Sequence, residues 1–583
     1  MINTAAMFSE KSNGIHIDWD VPIAMSDGLV LRCDVFRPDA PGQYPVIMAV
    51  GPYGKWLSFQ DEVWGGQWKM LCAQEPEILK LSSNRFQNYE FADPERFVPD
   101  GYVLIRVDVR GTGRSPGVMD LLSTRETQDY FECIEWAAVQ PWSNSKVGLN
   151  GVSYLAMNQW QVAALRPAHL SAMCIWEGCS DFYREFYRHG GIHSLFGDLW
   201  YNKYILPVQY GLGQRGWKSH INGHWVSGDT QLSDAQLAAN RKDWRTYTRA
   251  NPLANDPYWI ERQVDFSRIE APLLSSANWG GQGLHLRGNV NGYQQAASKE
   301  KWLHFHCLEH WTEFYTSRGI ELQKKFFGHF LKGEDTGWGH EPKVMMQVRH
   351  PEKEVTLRSE LTWPPESTRY ERYYLEPNSS GLTTTAVQSS QAVSYDSPGA
   401  GLTFLSQPMT HERTLIGHAC VKLWVSSSTS DADLFLILRV FAPDMREVTF
   451  SGANDPHTPV AHGWLRMSSR RLDESGRASV LPAYTNANTD LLNPDEIYAA
   501  NVEIWPTCIV IPKGYRIGLS IRGNDYVYPG DLSAVSGKIG QPATGVGPFR
   551  HDDVEDRPKA IFDNTVTVHA TAQQLAYIDI PFC

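Results

Sequence analysis

The sequence predicts an α/β domain on a mostly parallel sheet, followed by an all-β domain. Up to about residue 340, short apolar runs bounded by Gly and Pro alternate with helix-like segments. After Gly333-Glu334-Asp335-Thr336-Gly337 the helical patterns largely vanish, and short alternating segments follow at fairly even spacing. With 583 residues the chain exceeds one typical domain, and 42% hydrophobic with 20% charged residues lets each part bury a sizeable core.

The opening runs Ile15–Trp19 and Leu29–Phe36 alternate as antiparallel strands do. Pro45–Val50 and Tyr102–Val107 are continuous apolar runs, the pattern of parallel strands covered on both faces. Thr127–Val139, with apolar residues at 130, 131, 134 and 137, predicts a helix, and Lys146–Asn150 the next strand. A strand at Ala172–Trp176 follows. From 181 to 265 aromatic and charged residues mix at helical spacing, which predicts a mostly helical cap insertion. Strands resume at Pro272–Leu274 and Trp302–His306, and a helix spans about Ile320–Leu331. The expected domains are therefore 1–180 with 266–340 for the α/β part, 181–265 for the cap, and 345–583 for a β-sandwich or jelly roll. Within the last, Tyr370–Leu375, Ala419–Val425, Leu434–Phe441 and Arg516–Ile521 read as strands. The Ser-, Thr- and Gly-rich stretch Asn378–Ala400 reads as a surface loop.

The chemistry centres on Val147-Gly148-Leu149-Asn150-Gly151-Val152-Ser153-Tyr154-Leu155-Ala156. A strand ends at Gly, Ser153 follows after one residue, and a helix begins at once. That is the setting of a nucleophile elbow, where a tight turn thrusts the hydroxyl above the sheet. The usual G-x-S-x-G has a second Gly; here Leu155 stands in its place and the small residue, Ala156, comes one later.

Gly151-Val152-Ser153-Tyr154-Leu155 resembles the G-x-S-Y-x motif of the CocE/NonD serine hydrolases, the cocaine esterase and X-prolyl dipeptidyl peptidase group. Other segments match in order: Arg37-Pro38-Asp39, Pro52-Tyr53-Gly54-Lys55, and the loop Asp108-Val109-Arg110-Gly111-Thr112-Gly113-Arg114-Ser115-Pro116-Gly117. The resemblance covers nearly the whole chain. It implies an α/β-hydrolase domain with a C-terminal jelly roll, attack by Ser153 on an ester or amide through an acyl-enzyme, and no cofactor. It places the oxyanion-hole donors at the Tyr53 hydroxyl and the Tyr154 N–H, and the base at His310.

The acid departs from that pattern. The family's W-Y-D segment corresponds to Ala277-Asn278-Trp279-Gly280-Gly281, where Gly281 takes the Asp position. A relocated acid has a sensible place at Glu177, directly after the strand neighbouring the nucleophile's, because parallel strands deliver their C-terminal ends to one edge. Asp181 is the second candidate, and Glu309 and Glu313 flank His310. His304, His306 and His310 also have the spacing of a zinc site, against which stands the commoner reading of packed neighbours. Trp176, Tyr187, Trp279 and Trp311 are expected to line an apolar acyl pocket.

Composition bounds the partners. A formal charge of −12 with no Lys/Arg-rich run argues against nucleic acid. No stretch approaches the roughly 18 to 20 apolar residues of a membrane helix. Met1–Met7 has neither a basic flank nor an apolar run, and the nine Cys form no C-x-x-C pair, so a cytoplasmic location is expected. The expected partner is a small acyl ester or amide, with oligomeric state open, homo-oligomer included. An acyltransferase or peptidase with the same triad, or a non-catalytic binding protein of the same fold, stand as alternatives.

Overall fold

The computed structural model describes residues 6–352, 354–473, 481–531 and 544–583. Most of Met1–Met7 lies outside them. Strands β1 (Phe8–Ser12), β2 (Ile15–Ala24) and β3 (Val30–Pro38) form the antiparallel opening. β3 then pairs antiparallel with β5 (Val103–Asp108), which runs parallel to β4 (Tyr44–Gly51). From β4 the sheet continues in parallel through β6 (Ser143–Val152), β7 (Leu170–Trp176), β8 (Leu273–Asn278), β9 (Lys301–His306) and β10 (Val344–Arg349). β4, β5 and β8 are buried along nearly their whole length, which explains why they read as apolar runs and not as alternations.

Helices cover both faces. α1 (Thr124–Ala138) starts at Ser123, whose hydroxyl accepts the Glu126 N–H, and buries Tyr130, Cys133, Ile134 and Ala137. α2 (Tyr154–Ala164) is buried on every side, so its sequence carries little amphipathic signal. α3 (Leu286–Gln295) and α4 (Ser317–Phe327) complete the cover.

Between β7 and β8 lies the insertion, with short helical segments at Phe196–Trp200, Asp234–Ala239, Trp244–Ala250 and Pro257–Ile260. It also holds a small hairpin, Arg188–His189 with Ile192–His193, within the stretch the sequence predicts to be mostly helical. That hairpin docks on the β domain: Arg466 N donates to Gly190 O (2.8 Å).

Apart from the short helical turns Met467–Ser469 and Lys559–Phe562, the regular elements of the described C-terminal part are strands. Its strands surround one apolar core containing Leu423, Leu436, Val502, Leu519 and Ile578, and Arg413–Ser427 pairs with Tyr498–Ile511, Thr565–Ala570 and Tyr577–Phe582. The stretch 378–400 is not wholly a loop: Gly381–Thr383 and Gln391–Asp396 are strands. Leu382 and Tyr395 are buried while Ser394 is exposed, and the Ser, Thr and Gly around them are what made the segment read as a surface loop.

Candidate active site

The turn from β6 into α2 puts Ser153 at φ 59°, ψ −118°. A residue with a side chain there costs of order 1–3 kcal/mol and persists only where its surroundings over-determine it. Ser153 N donates to Trp176 O (3.0 Å) and Val152 N to Glu90 O (3.1 Å), so both flanks are tied down. Gly151 is required: a Cβ there would stand 2.6 Å from Leu155 Cβ. Leu155 fits at the position where the motif usually has Gly because Gly51 and Gly151 both leave room for its side chain.

Ser153 lines a narrow cavity with Tyr53, Glu90, His285, His310 and Trp311. The space at its centre, about 20 Å³, is enough for a water. His310 lies just beyond β9, and its backbone N–H donates to Ala453 O of the β domain (3.1 Å). Its Nδ1 is 2.7 Å from Glu177 Oε2, and the carboxylate is buried. Glu177 follows β7 with φ 50°, and its other oxygen accepts from Asn278 Nδ2 (3.0 Å). Asn278, at the end of β8, also donates to Leu308 O (2.6 Å), fixing the acid and the His310 loop together. Asp181 is elsewhere: it binds Arg184 (2.7 Å) and accepts the Arg184 N–H (2.9 Å) at the start of a helical turn. Glu313 pairs with Arg318 and does not face His310. Gly281 lines the cavity, and no carboxylate stands in its place.

Burial works to lower the His310 pKa, but Glu177 and Glu90 override it and hold it up at about 9. Glu90, absent from the sequence expectations, presents Oε1 3.2 Å from His310 Nε2 and accepts from Trp311 Nε1 (3.2 Å). His285, also unanticipated, brings Nε2 to 3.2 Å from Ser153 Oγ. Burial and then the His310 charge keep its pKa well below the usual range, so it is neutral. A signal for His285 existed: it is the first imidazole after Gly281, at the N-terminus of the next helix. Glu90 had none, since nothing in the chain between Tyr53 and Pro99 places its backbone.

Tyr53 reaches the cavity from the loop after β4. Its hydroxyl accepts from Trp200 Nε1 (3.2 Å) and also contacts Ser153 and Glu90. Burial, then the Glu90 charge, pushes its pKa well up, so it stays a protonated donor. The loop is anchored by Lys55, whose N–H donates to Asp108 Oδ1 (2.7 Å) and whose ammonium bonds Asp20 (3.0 Å) and Asp34 (3.2 Å). Asp108 also accepts the Arg114 N–H (2.8 Å), so the Gly-rich loop closes on its own carboxylate. Tyr154 is the first residue of α2, where helix geometry leaves its N–H without an intrahelical partner. Its hydroxyl is bound to Glu126 (2.6 Å).

Of the aromatic residues expected to line a pocket, Trp311 does. Trp176, Tyr187 and Trp279 are core residues. Trp279 stacks on Phe305 and donates to Gln347 O (2.7 Å), Tyr187 stacks on Trp259 and donates to Thr248 O (2.8 Å), and Trp176 packs edge-on against Phe314. The cavity wall is built instead by Tyr89, Phe196, Trp200, Tyr204 and Phe549. Lying next to the site in sequence placed Trp311 in its wall but not Trp176 or Trp279. His304 Nδ1 turns to Ser276 Oγ (2.9 Å), away from His310, and no group of three or more His, Cys, Asp or Glu placed to hold a metal occurs among the described residues. No helix among them is long and apolar enough to cross a membrane.

The family model described as X-Pro dipeptidyl-peptidase (S15 family) matches residues 27–312, and that of the X-Pro dipeptidyl-peptidase C-terminal non-catalytic domain matches 336–530. A crystal structure of a CocE/NonD family hydrolase from Staphylococcus aureus is 30% identical, with a TM-score of 0.82 over 98% of this chain and 94% of that one. The cocaine esterase of Rhodococcus sp. (strain MB1 Bresler) is 25% identical over 588 residues, spanning 87% of this chain and 90% of its own. An aminopeptidase from a marine sediment archaeon, Thaumarchaeota archaeon, shares the fold at 16% identity, with a TM-score of 0.67 over 100% and 99% of the two chains.

Proposed function

The chain belongs to the CocE/NonD family of serine hydrolases, and on that premise we propose that it cleaves an ester or amide of a small acyl substrate through an acyl-enzyme on Ser153. The observation that carries this reading is the strained Ser153 elbow opening into the same cavity as a His310–Glu177 pair 2.7 Å apart. Glu177 orients the imidazole through Nδ1, leaving Nε2 as the nitrogen that takes the Ser153 proton and returns it to the leaving group. The Tyr53 hydroxyl and the Tyr154 N–H receive the charge that develops on the carbonyl oxygen. Water then attacks the acyl-enzyme by the same proton transfers in reverse. The route needs no cofactor.

An ester is the first choice of substrate, because an alkoxide leaves with less help from an acid than an amine does. The relatives include both a cocaine esterase and the X-Pro dipeptidyl-peptidase family, so an amide is the second. Membership of an enzyme family sets aside the non-catalytic alternative that Gly281 raised. The test is a Ser153→Ala variant: turnover of p-nitrophenyl esters should fall on the order of 10⁴-fold or more. A fluorophosphonate should label the wild type only. Equal turnover in the two proteins would remove Ser153 from the reaction.

A further inference from the structure

Two buried residues share the cavity with Ser153 and have no part in the scheme above, Glu90 and His285. Glu90 is held at φ 61°, a conformation seldom kept by a residue with a side chain unless its surroundings demand it. Its carbonyl anchors Val152, one residue before the nucleophile, and the residue is only 1% exposed. One carboxylate oxygen takes the Trp311 N–H and faces His310 Nε2, while Glu177 faces His310 Nδ1. An imidazole with a carboxylate at each nitrogen donates both N–H groups and has no lone pair left for a serine proton. The hydroxyl of Ser153 meets His285 instead, whose ring lies parallel to that of His310, 13° apart in tilt and 5.2 Å between centroids.

The His285 geometry says which way its bond points. Its Nδ1 is buried without a hydrogen-bond partner among the described residues. A buried acceptor left unpaired is tolerated more readily than a buried N–H, so the favoured tautomer carries its proton on Nε2 and donates it to Ser153 Oγ. Accepting the serine proton would also place a second cation face to face with His310. His285 therefore holds the nucleophile and is a poor base for it.

We propose that Glu90 is a positioning residue that competes with Ser153 for the Nε2 face of His310, so that the free enzyme rests with its base clamped between two carboxylates and its nucleophile held by His285. The proposal rests on the Ser153–His310–Glu177 reading and adds the step that precedes it. Before His310 can act, its Nε2 proton leaves for solvent through the cavity and the nitrogen turns from Glu90 to Ser153. The groups facing His310 are Glu177 after β7, Glu90 from the β4–β5 connection, His285 at the start of α3 and His306 at the end of β9. Tyr53 and Tyr89 face Glu90 in turn. Of these, Glu177 and Glu90 are the groups whose negative charge raises the His310 pKa, and burial in turn raises that of Glu90. Removing one should lower its pKa.

The sign follows. The reactive form of His310 is the neutral one, so activity is present above its pKa and lost as pH falls through it, at about 9 in this arrangement. Glu90→Gln keeps the shape and removes the charge. With a neutral p-nitrophenyl ester, the acid limb of kcat/KM for E90Q should move down by at least about one pH unit. Its rate at pH 7 should then rise about tenfold, the change in neutral imidazole that one unit represents. The rate of fluorophosphonate labelling at Ser153 should show the same shift. An acid limb at the same pH in both proteins, or a loss at every pH, overturns the proposal. Labelling that persists in either case leaves the Ser153 reading intact, whereas a wild type that does not label removes that reading itself. Independently of how E90Q folds, an NMR titration of the His310 ring in the wild type should have its midpoint near 9; a midpoint in the ordinary histidine range overturns the clamp.

Discussion

At the scale of single residues, the site distinguishes two acids four positions apart by what each touches. Glu177 directly follows β7 at the rim of the sheet, where its carboxylate meets His310 Nδ1 and is steadied by Asn278. Asp181 points into its own helical turn and is matched by Arg184; burial would raise its pKa, and Arg184 brings it below the usual value. Glu177→Gln should keep the fold but offer His310 the wrong partner, and kcat should fall on the order of 10³-fold or more. Asp181→Asn should leave kcat within a few-fold and cost at most about 1 kcal/mol of stability, since Asn still caps the turn and only the part-exposed ion pair with Arg184 is lost. Steady-state kinetics with a denaturant melt of each variant reads both effects. The reverse ranking would transfer the acid's role to Asp181. The same comparison explains how a chain with Gly at position 281 can keep a carboxylate on its histidine: the acid comes from the neighbouring strand, and Asn278, three residues before the vacant position, braces it.

At the scale of elements, the elbow works because two glycines give space to one leucine. A Cβ at position 151 would stand 2.6 Å from Leu155 Cβ, closer than such atoms approach. Gly151→Ala should therefore destabilise the protein by about 1–3 kcal/mol, the usual cost of overpacking, and depress kcat by displacing Ser153. Adding Leu155→Gly should return part of both losses. A double-mutant cycle on melting temperature and kcat tests this, and strictly additive effects would show that the two positions do not meet. The elements around this turn were legible in the sequence because each has a local pattern: Pro45–Val50 and Tyr102–Val107 as doubly covered strands, Thr127–Val139 as a one-sided helix, Gly151–Ser153 as the turn. The partners of the reacting groups had no such pattern. Glu90 lies 220 positions from His310 and His285 lies 132 from Ser153, and only the folded chain brings them together. The cavity wall was illegible for the same reason: Phe196 and Trp200 come from the insertion and Phe549 from the β domain, and no spacing in the chain records their meeting.

At the scale of the whole molecule, the β domain helps to build the site. Ala453 is bound to both sides of the proposed active site: its N–H donates to Gly280 O (2.9 Å), and its carbonyl accepts the His310 N–H. Gly280 and Gly452 lie so close that a Cβ on Gly280 would come 2.5 Å from Gly452 Cα. The insertion is fastened to the same domain by buried charges. Asp556 bonds Arg188 of the insertion hairpin (2.7 Å) and Arg466 of the β domain (2.9 Å), and Asp553 bonds His193 (2.9 Å) and Arg249 (2.7 Å). Burial would raise the Asp556 pKa, but Arg466 and Arg188 hold it far below the usual carboxylate range. A carboxylate with a depressed folded pKa contributes stability above its unfolded pKa, near 4, and loses it as pH falls toward the folded value. Asp556→Asn leaves the Arg188 guanidinium buried without its carboxylate, while Arg466 keeps Asp433 (2.8 Å), which should cost about 3 kcal/mol at neutral pH. The variant should also lose part of the wild type's decline in melting temperature between pH 5 and pH 3, since the group that titrates is gone. Thermal unfolding of both proteins across that range measures the two effects together. A variant as stable as the wild type at pH 7, with an unchanged acid dependence, would mean that the insertion is held to the β domain by apolar packing such as Ile192 against Phe435 and Trp464, and that these ion pairs add nothing to it.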